Sequence, residues 1–165
     1  MCYHRETKVL PMNNYEFLNE LLNLEKLQVT EAEIASAEQV TLFVESPLAA
    51  AICPKCNQVS TKVHDLSAVQ MIRDLSIGQR RCYLGYQARR FDCRHCYKTF
   101  VECVAWKRPG VSYTVRYEQY IYQRARKEPV SQIAQDEGLS EEAVQAIFEH
   151  RAKKRWRHGG TRQSR

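Results

Sequence analysis

The sequence of 165 residues has no apolar run approaching the roughly eighteen residues of a membrane span. No secretory leader is expected from Met1 to Leu10, which places Arg5, Glu6 and Lys8 where an apolar segment would stand. Low-complexity tracts are missing, as are internal repeats other than two cysteine pairs. A membrane or secreted protein is thereby disfavoured. The expected location is the cytoplasm, in association with the nucleoid, where thiols stay reduced. The cysteine count, seven, is odd, which does not suit a disulfide framework and turns attention to metal. With 44% hydrophobic residues, the chain has enough apolar material for a core of its own.

Acidic charge is scarce where the cysteines lie. Residues 1–52 carry three basic and eight acidic side chains, residues 53–103 nine and four, and residues 104–165 thirteen and seven. The net charge of +6 therefore comes entirely from the second and third segments, and such an asymmetry suits a polyanionic partner.

The fold class expected from this pattern is α+β. It has a small N-terminal β-hairpin and a four-cysteine, zinc-ribbon-like β domain, followed by an α-helical helix-turn-helix. The expected units are residues 1–52, 53–106 and 107–158, with a disordered tail at 159–165. Within the first unit, residues 1–14 read as irregular and Tyr15 to Leu27 as a short helix. Gln28 to Ile34 and Val40 to Val44 read as two strands around a loop at Ala35 to Gln39. Within the second, Lys62 to His64 and Arg81 to Phe91 are strand-like.

Cys53-Pro54-Lys55-Cys56 and Cys93-Arg94-His95-Cys96 are both C-x-x-C pairs. Each fits a tight knuckle turn, and two knuckles supply four thiolates in the tetrahedral arrangement that zinc prefers. The expectation is one structural Zn2+ on Cys53, Cys56, Cys93 and Cys96. A redox dithiol would need a thioredoxin-like context that neither pair has. A catalytic zinc would need an open coordination position, which four cysteines close. His95, inside its own knuckle, is expected to face solvent or phosphate. Cys82 and Cys103 lack a partner spacing, so core packing is their default.

Arg73, Arg80, Arg81, Arg89, Arg90 and Arg94 cluster between and beside the cysteine pairs, interleaved with Tyr83, Tyr86 and Phe91. Arginines and aromatics on a zinc-stapled sheet suit a phosphate backbone, and the competing reading is a solvated strand face over aromatic core residues. Further on, Val115 to Lys127, Val130 to Glu137 and Glu141 to about Arg155 read as three helices. Between the last two, Gly138 suits the left-handed residue that closes a helix, Leu139 plugs the core and Ser140 caps the next helix. This is a helix-turn-helix pattern, for which a plain helical hairpin is the competing reading. Gln145, near the start of the last helix, has the side chain to read adenine. Glu141 and Glu142 suit the helix dipole but oppose phosphate. The basic run Lys153, Lys154, Arg155 and Arg157 adds candidate DNA contacts.

Taken together, these residues resemble the N-terminal half of insertion-sequence transposases of the ISL-three family. The resemblance runs from about Leu21 to Arg155. It rests on the opening Leu21-Leu22-Asn23-Leu24, the hairpin, Cys53-Pro54-Lys55-Cys56, Val63-His64-Asp65, Ile72-Arg73-Asp74-Leu75, Arg89-Arg90-Phe91-Asp92-Cys93 and the stretch from Ile133-Ala134 to Val144. It implies a zinc finger and a helix-turn-helix that recognise element ends, followed in that family by an RNase-H-like domain whose acidic residues hold divalent metal. Arg165 comes before such a domain would fit, and Asp65, Asp74 and Asp92 lie in the finger region. The resemblance therefore implies end binding without transposase chemistry on this chain. The expected partner is double-stranded DNA, in particular mobile-element terminal repeats. A second copy of the chain or a transposase is a further candidate partner. The competing function is an adaptor that docks a full-length or split transposase through the acidic residues 1–52.

Overall fold

The computed structural model describes residues 15–23 and 27–159, with backbone alone for residues 16, 17, 21 and 154–159. The irregular segment expected at 1–14 and the tail at 160–165 lie outside the described residues.

Sheet formation follows from alternation. In β2 (Gln39–Glu45) the side chains of Val40, Leu42 and Val44 share one face and are buried. In β7 (Arg80–Tyr86) Cys82, Leu84 and Tyr86 do the same, and the parallel register sets the two trios side by side. β1 (Gln28–Glu33) pairs antiparallel with β2, and β6 (Gln70–Ile77) pairs antiparallel with β7, giving the order β1-β2-β7-β6. Leu22 of α1 (Glu16–Leu22), together with Leu27 and Val104, packs into the same core. Trp106 joins them, its ring meeting Tyr86 edge-on at 5.0 Å. The side-chain oxygen of Asn19 accepts the Val29 N–H at 2.8 Å and ties the helix to the edge of the sheet. On the opposite face the Phe43 ring lies so close to Gly85 that a Cβ there would come within 2.6 Å of it.

Two smaller sheets form the ribbon. β3 (Ala51–Ile52) pairs with β4 (Val59–Ser60), and β5 (Val63–Leu66), β8 (Arg89–Asp92) and β9 (Thr99–Val101) pair in the order β5-β8-β9. Their core is small: Phe91 stacks on Phe100 at 5.9 Å, beside Cys53 and Cys93.

Three helices complete the fold. α2 (Val115–Ala125) starts where Thr114 accepts the Tyr117 N–H at 3.1 Å. α3 (Val130–Glu137) ends at Gly138, whose φ of 66° lets its N–H and that of Leu139 turn back onto the last carbonyls. Ser140 caps α4 (Glu141–Gly159) by accepting the Ala143 N–H at 3.2 Å. Tyr117, Ile121, Ile133, Ala134, Val144 and Ile147 form the helical core.

A four-residue stretch of β6 joins sheet to helices. The Arg73 N–H donates to the Ser112 carbonyl at 2.8 Å, and the Thr114 N–H donates to the Arg73 carbonyl at 3.0 Å, so the entry to α2 covers the free edge of the sheet. The Arg73 guanidinium, 4% exposed, pairs with Glu137 at 3.2 Å and lies over the Tyr83 and Tyr117 rings. Glu137 also accepts from the hydroxyls of Tyr117 and Tyr120, both at 3.0 Å, and from Arg124 at 3.2 Å. Next to Arg73, the buried Asp74 accepts from the Thr114 hydroxyl and the Arg116 guanidinium, both at 2.7 Å. Ile72 packs into the sheet core and Leu75 against the helical one.

Several expectations change. The first helix ends at Leu22 and not Leu27, because Asn23 takes the left-handed conformation. The hairpin expected as part of a separate unit at 1–52 does not stand apart, because β2 finds its apolar partner in β7. The strand expected from Arg81 to Phe91 breaks at Gln87-Ala88 into β7 and β8, which belong to different sheets. β6 was not expected as a strand, because its central Arg73-Asp74 pair masks the alternation. Cys82 is buried, but Cys103 is exposed and fills no core.

Truncating one member of a buried, multiply bonded ion pair leaves the other uncompensated, at about 3–5 kcal/mol. Glu137→Ala is therefore expected to lower the unfolding free energy in urea by about 3 kcal/mol. Ser140→Ala is expected to lower it by about 1 kcal/mol.

Candidate metal centre and nucleic-acid interface

The first knuckle joins β3 to β4 and the second joins β8 to β9, and the two are built alike. The Cys53 N–H donates to the Gln58 carbonyl at 2.9 Å, and the Cys93 N–H donates to the Lys98 carbonyl at 3.0 Å. The residue after each second cysteine is left-handed, Asn57 at φ 56° and Tyr97 at φ 53°. The backbone N–H groups of Lys55 and Cys56 point at the Cys53 sulfur, and those of His95 and Cys96 at the Cys93 sulfur. The Cys96 N–H is the main reason that the Cys93 thiol titrates at about 6, against the opposing effect of burial. Cys53 is lowered too, although burial opposes it.

The four sulfurs lie within 4.8 Å of one another. Across the knuckles, Cys53 and Cys96 are 3.7 Å apart and Cys56 and Cys93 are 3.5 Å apart. A disulfide would need about 2.05 Å, whereas a tetrahedron with Zn–S bonds of about 2.3 Å has edges of about 3.8 Å. The donor set and its spacing fit one zinc ion held by Cys53, Cys56, Cys93 and Cys96. Bound there, zinc supplies a structural crosslink, since four thiolates complete its tetrahedral shell.

Of the arginines expected as one basic cluster, Arg73 is buried against Glu137, and the others separate into two groups. Arg80 is exposed at the β6–β7 turn, and the Arg81 guanidinium reaches the helix-turn-helix, 3.0 Å from where a Cβ on Gly138 would stand. The other group sits on the ribbon. Arg94 is exposed on the second knuckle, and Arg90 pairs with Asp65 in a half-exposed contact.

Arg89, expected on phosphate, is already engaged. Its fork meets both Glu102 oxygens at 2.6–3.1 Å and it donates to the Leu48 carbonyl at 2.6 Å, so all three of its nitrogens are engaged at the seam between ribbon and sheet. Glu102 also accepts from the Tyr86 hydroxyl at 2.6 Å. Sequence reasoning missed Glu102; its place next to Cys103 gave no periodic signal.

On the helices, Gln145 is exposed on α4 and donates to Glu149 at 3.2 Å. Glu141, Glu142 and Glu149 are also exposed, so this face of α4 is acidic. Lys153 is exposed, while the side chains of Lys154, Arg155 and Arg157 lie outside the described residues. His95 is exposed, and His64 pairs with Asp92 at 3.1 Å.

With the two knuckles and the helix-turn-helix in view, the family comparison is direct. Residues 49–96 match the model described as the zinc-finger of transposase IS204/IS1001/IS1096/IS1165. Residues 102–152 match the helix-turn-helix domain of transposase family ISL3. Together the two matches run from residue 49 to residue 152 and are consistent with the N-terminal region of an ISL3-family transposase. No curated protein and no solved structure matches the chain. The resemblance read from Ile72-Arg73-Asp74-Leu75 has a physical content here, since this stretch bolts the ISL3 helix-turn-helix to the sheet beside the ISL3 ribbon. Among the described residues no helix is long and apolar enough to cross a membrane.

Zinc analysis of the purified chain is expected to return one ion per molecule, and Cys53→Ser or Cys93→Ser to abolish it. Because thiolates must be deprotonated to bind, zinc affinity is expected to fall as pH is lowered. A chelator titration followed at several pH values checks the sign.

Proposed function

We propose that this chain is the DNA-recognition part of an ISL3-type transposase or a regulator derived from one, and that it binds the terminal repeats of its element. The carrying observation is that a complete helix-turn-helix and a four-thiolate ribbon belong to one framework, with the outer face of α4 uncovered. The matches to both ISL3 domains support the same reading. Such a unit lays its second helix in the major groove.

The acidic face shapes how α4 reads DNA. Carboxylates near Gln145 repel phosphate, but inside the groove they accept from the amino group of cytosine, while an amide pairs with adenine. Gln145 must release Glu149 to do so. Phosphate contact falls to the flanking cations: Arg80 and Arg81 beside the turn, Arg90 and Arg94 on the ribbon, and Lys153 with Lys154, Arg155 and Arg157 at the end of α4. We assign no strand cleavage to Asp65, Asp74 or Asp92, since each is already held by Arg90, Arg116 or Lys62.

The zinc-loaded chain, assayed by anisotropy at one stated near-physiological salt, is expected to prefer element ends over scrambled duplex by roughly a thousandfold. Equal, weak binding to both would overturn the reading. Arg94→Ala is expected to lower affinity for all sequences alike and reduce the salt slope by about 1. Gln145→Ala is expected to cost about 1–3 kcal/mol only on the ends.

A further inference from the structure

The two knuckles share one design and differ at one telling position. Each requires a left-handed residue after its second cysteine, and the first knuckle fills it with Asn57, a residue type suited to that conformation. The second fills it with Tyr97, for which a left-handed backbone is uncommon. The fold gains nothing from the ring in return. Tyr97 is 89% exposed, more than any other large hydrophobic side chain among the described residues.

Its surroundings are cationic. Arg94 and Lys98 are exposed on the same turn and Lys55 on the partner knuckle, which the sulfur cluster holds alongside. Among the described residues, Lys55, Arg94 and Lys98 have no carboxylate within ion-pair distance, whereas elsewhere on the ribbon Lys62 is paired with Asp92 and Arg90 with Asp65. The ribbon tip thus combines a projecting aromatic ring on a left-handed backbone with uncompensated positive charge.

We propose that this tip is a site for unpaired DNA: the Tyr97 ring stacks on an exposed base while Lys55 and Lys98 hold the flanking phosphates, next to the Arg94 that holds the duplex. Stacking needs an open base face, which a duplex interior hides and a frayed or single-stranded end offers. The tip is made of two turns, with no helix or strand pair to lie in a groove. The proposal rests on the DNA-binding reading and adds a second substrate element to it, namely a melted or single-stranded segment next to the duplex held by the helix-turn-helix.

The test uses the full zinc-loaded chain and two DNAs, a blunt duplex and the same duplex with a short unpaired extension carrying 2-aminopurine. The wild type is expected to bind the extended DNA about tenfold tighter and to quench the reporter. Tyr97→Phe keeps both effects. Tyr97→Asn, which relieves the backbone, is expected to retain zinc and melt no lower than wild type. It binds blunt duplex unchanged but loses the preference and the quenching. Equal wild-type affinity for the two DNAs, or a Tyr97→Asn protein that keeps the preference, would overturn the inference while leaving duplex binding intact. Failure of the wild type to bind either DNA would overturn the DNA-binding reading with it.

Discussion

The buried contact between Arg73 and Glu137 makes the sheet and the helix-turn-helix one object. Withdrawing two charges from water costs several kcal/mol per ion. Here the cost is offset by a dense set of partners: three further donors on the Glu137 carboxylate, and two aromatic rings beside the Arg73 guanidinium. The Nε and Nη1 atoms of Arg73 still find no partner, so the pair is more a device for fixing geometry than a source of surplus stability. Asp74 repeats the arrangement with Thr114 and Arg116 one residue on. Successive residues of a strand point to opposite faces, so the two side chains grip the helical unit from both sides of the covered edge.

The ribbon depends on a different constraint. Its apolar core consists of little beyond Phe91, Phe100 and the cysteines themselves. So small a core does not hold a fold alone, and metal binding supplies the missing free energy. Because zinc carries the ribbon's stability, the knuckle surfaces are released from packing duty. Their exposed Lys55, Arg94, Tyr97 and Lys98 are therefore interpretable in terms of what they meet in solution.

Features set by local rules were legible in the sequence. The two cysteine pairs gave the zinc ligands, and Gly138-Leu139-Ser140 gave the turn, because knuckle and cap geometry depend on a few neighbouring residues. Features set by long-range pairing were hidden. Nothing local says that β2 runs parallel to β7, or that the polar Arg73-Asp74 sits inside a strand. Arg89 and Arg90 are adjacent and chemically identical, yet Glu102 claims one and leaves the other near solvent. That difference depends on a carboxylate 13 residues along the chain, so charge clustering alone could not separate solvent-facing arginines from structural ones.

In the proposed reading two surfaces meet DNA, the outer side of α4 and the ribbon tip. Hydroxyl-radical footprinting of the zinc-loaded chain on an end of the neighbouring element tests that arrangement most directly. The expected result is protection confined to the terminal sequence in two adjoining patches, with chelation of zinc erasing the ribbon's patch. Uniform protection along the fragment, or a terminal footprint indifferent to zinc, would contradict it.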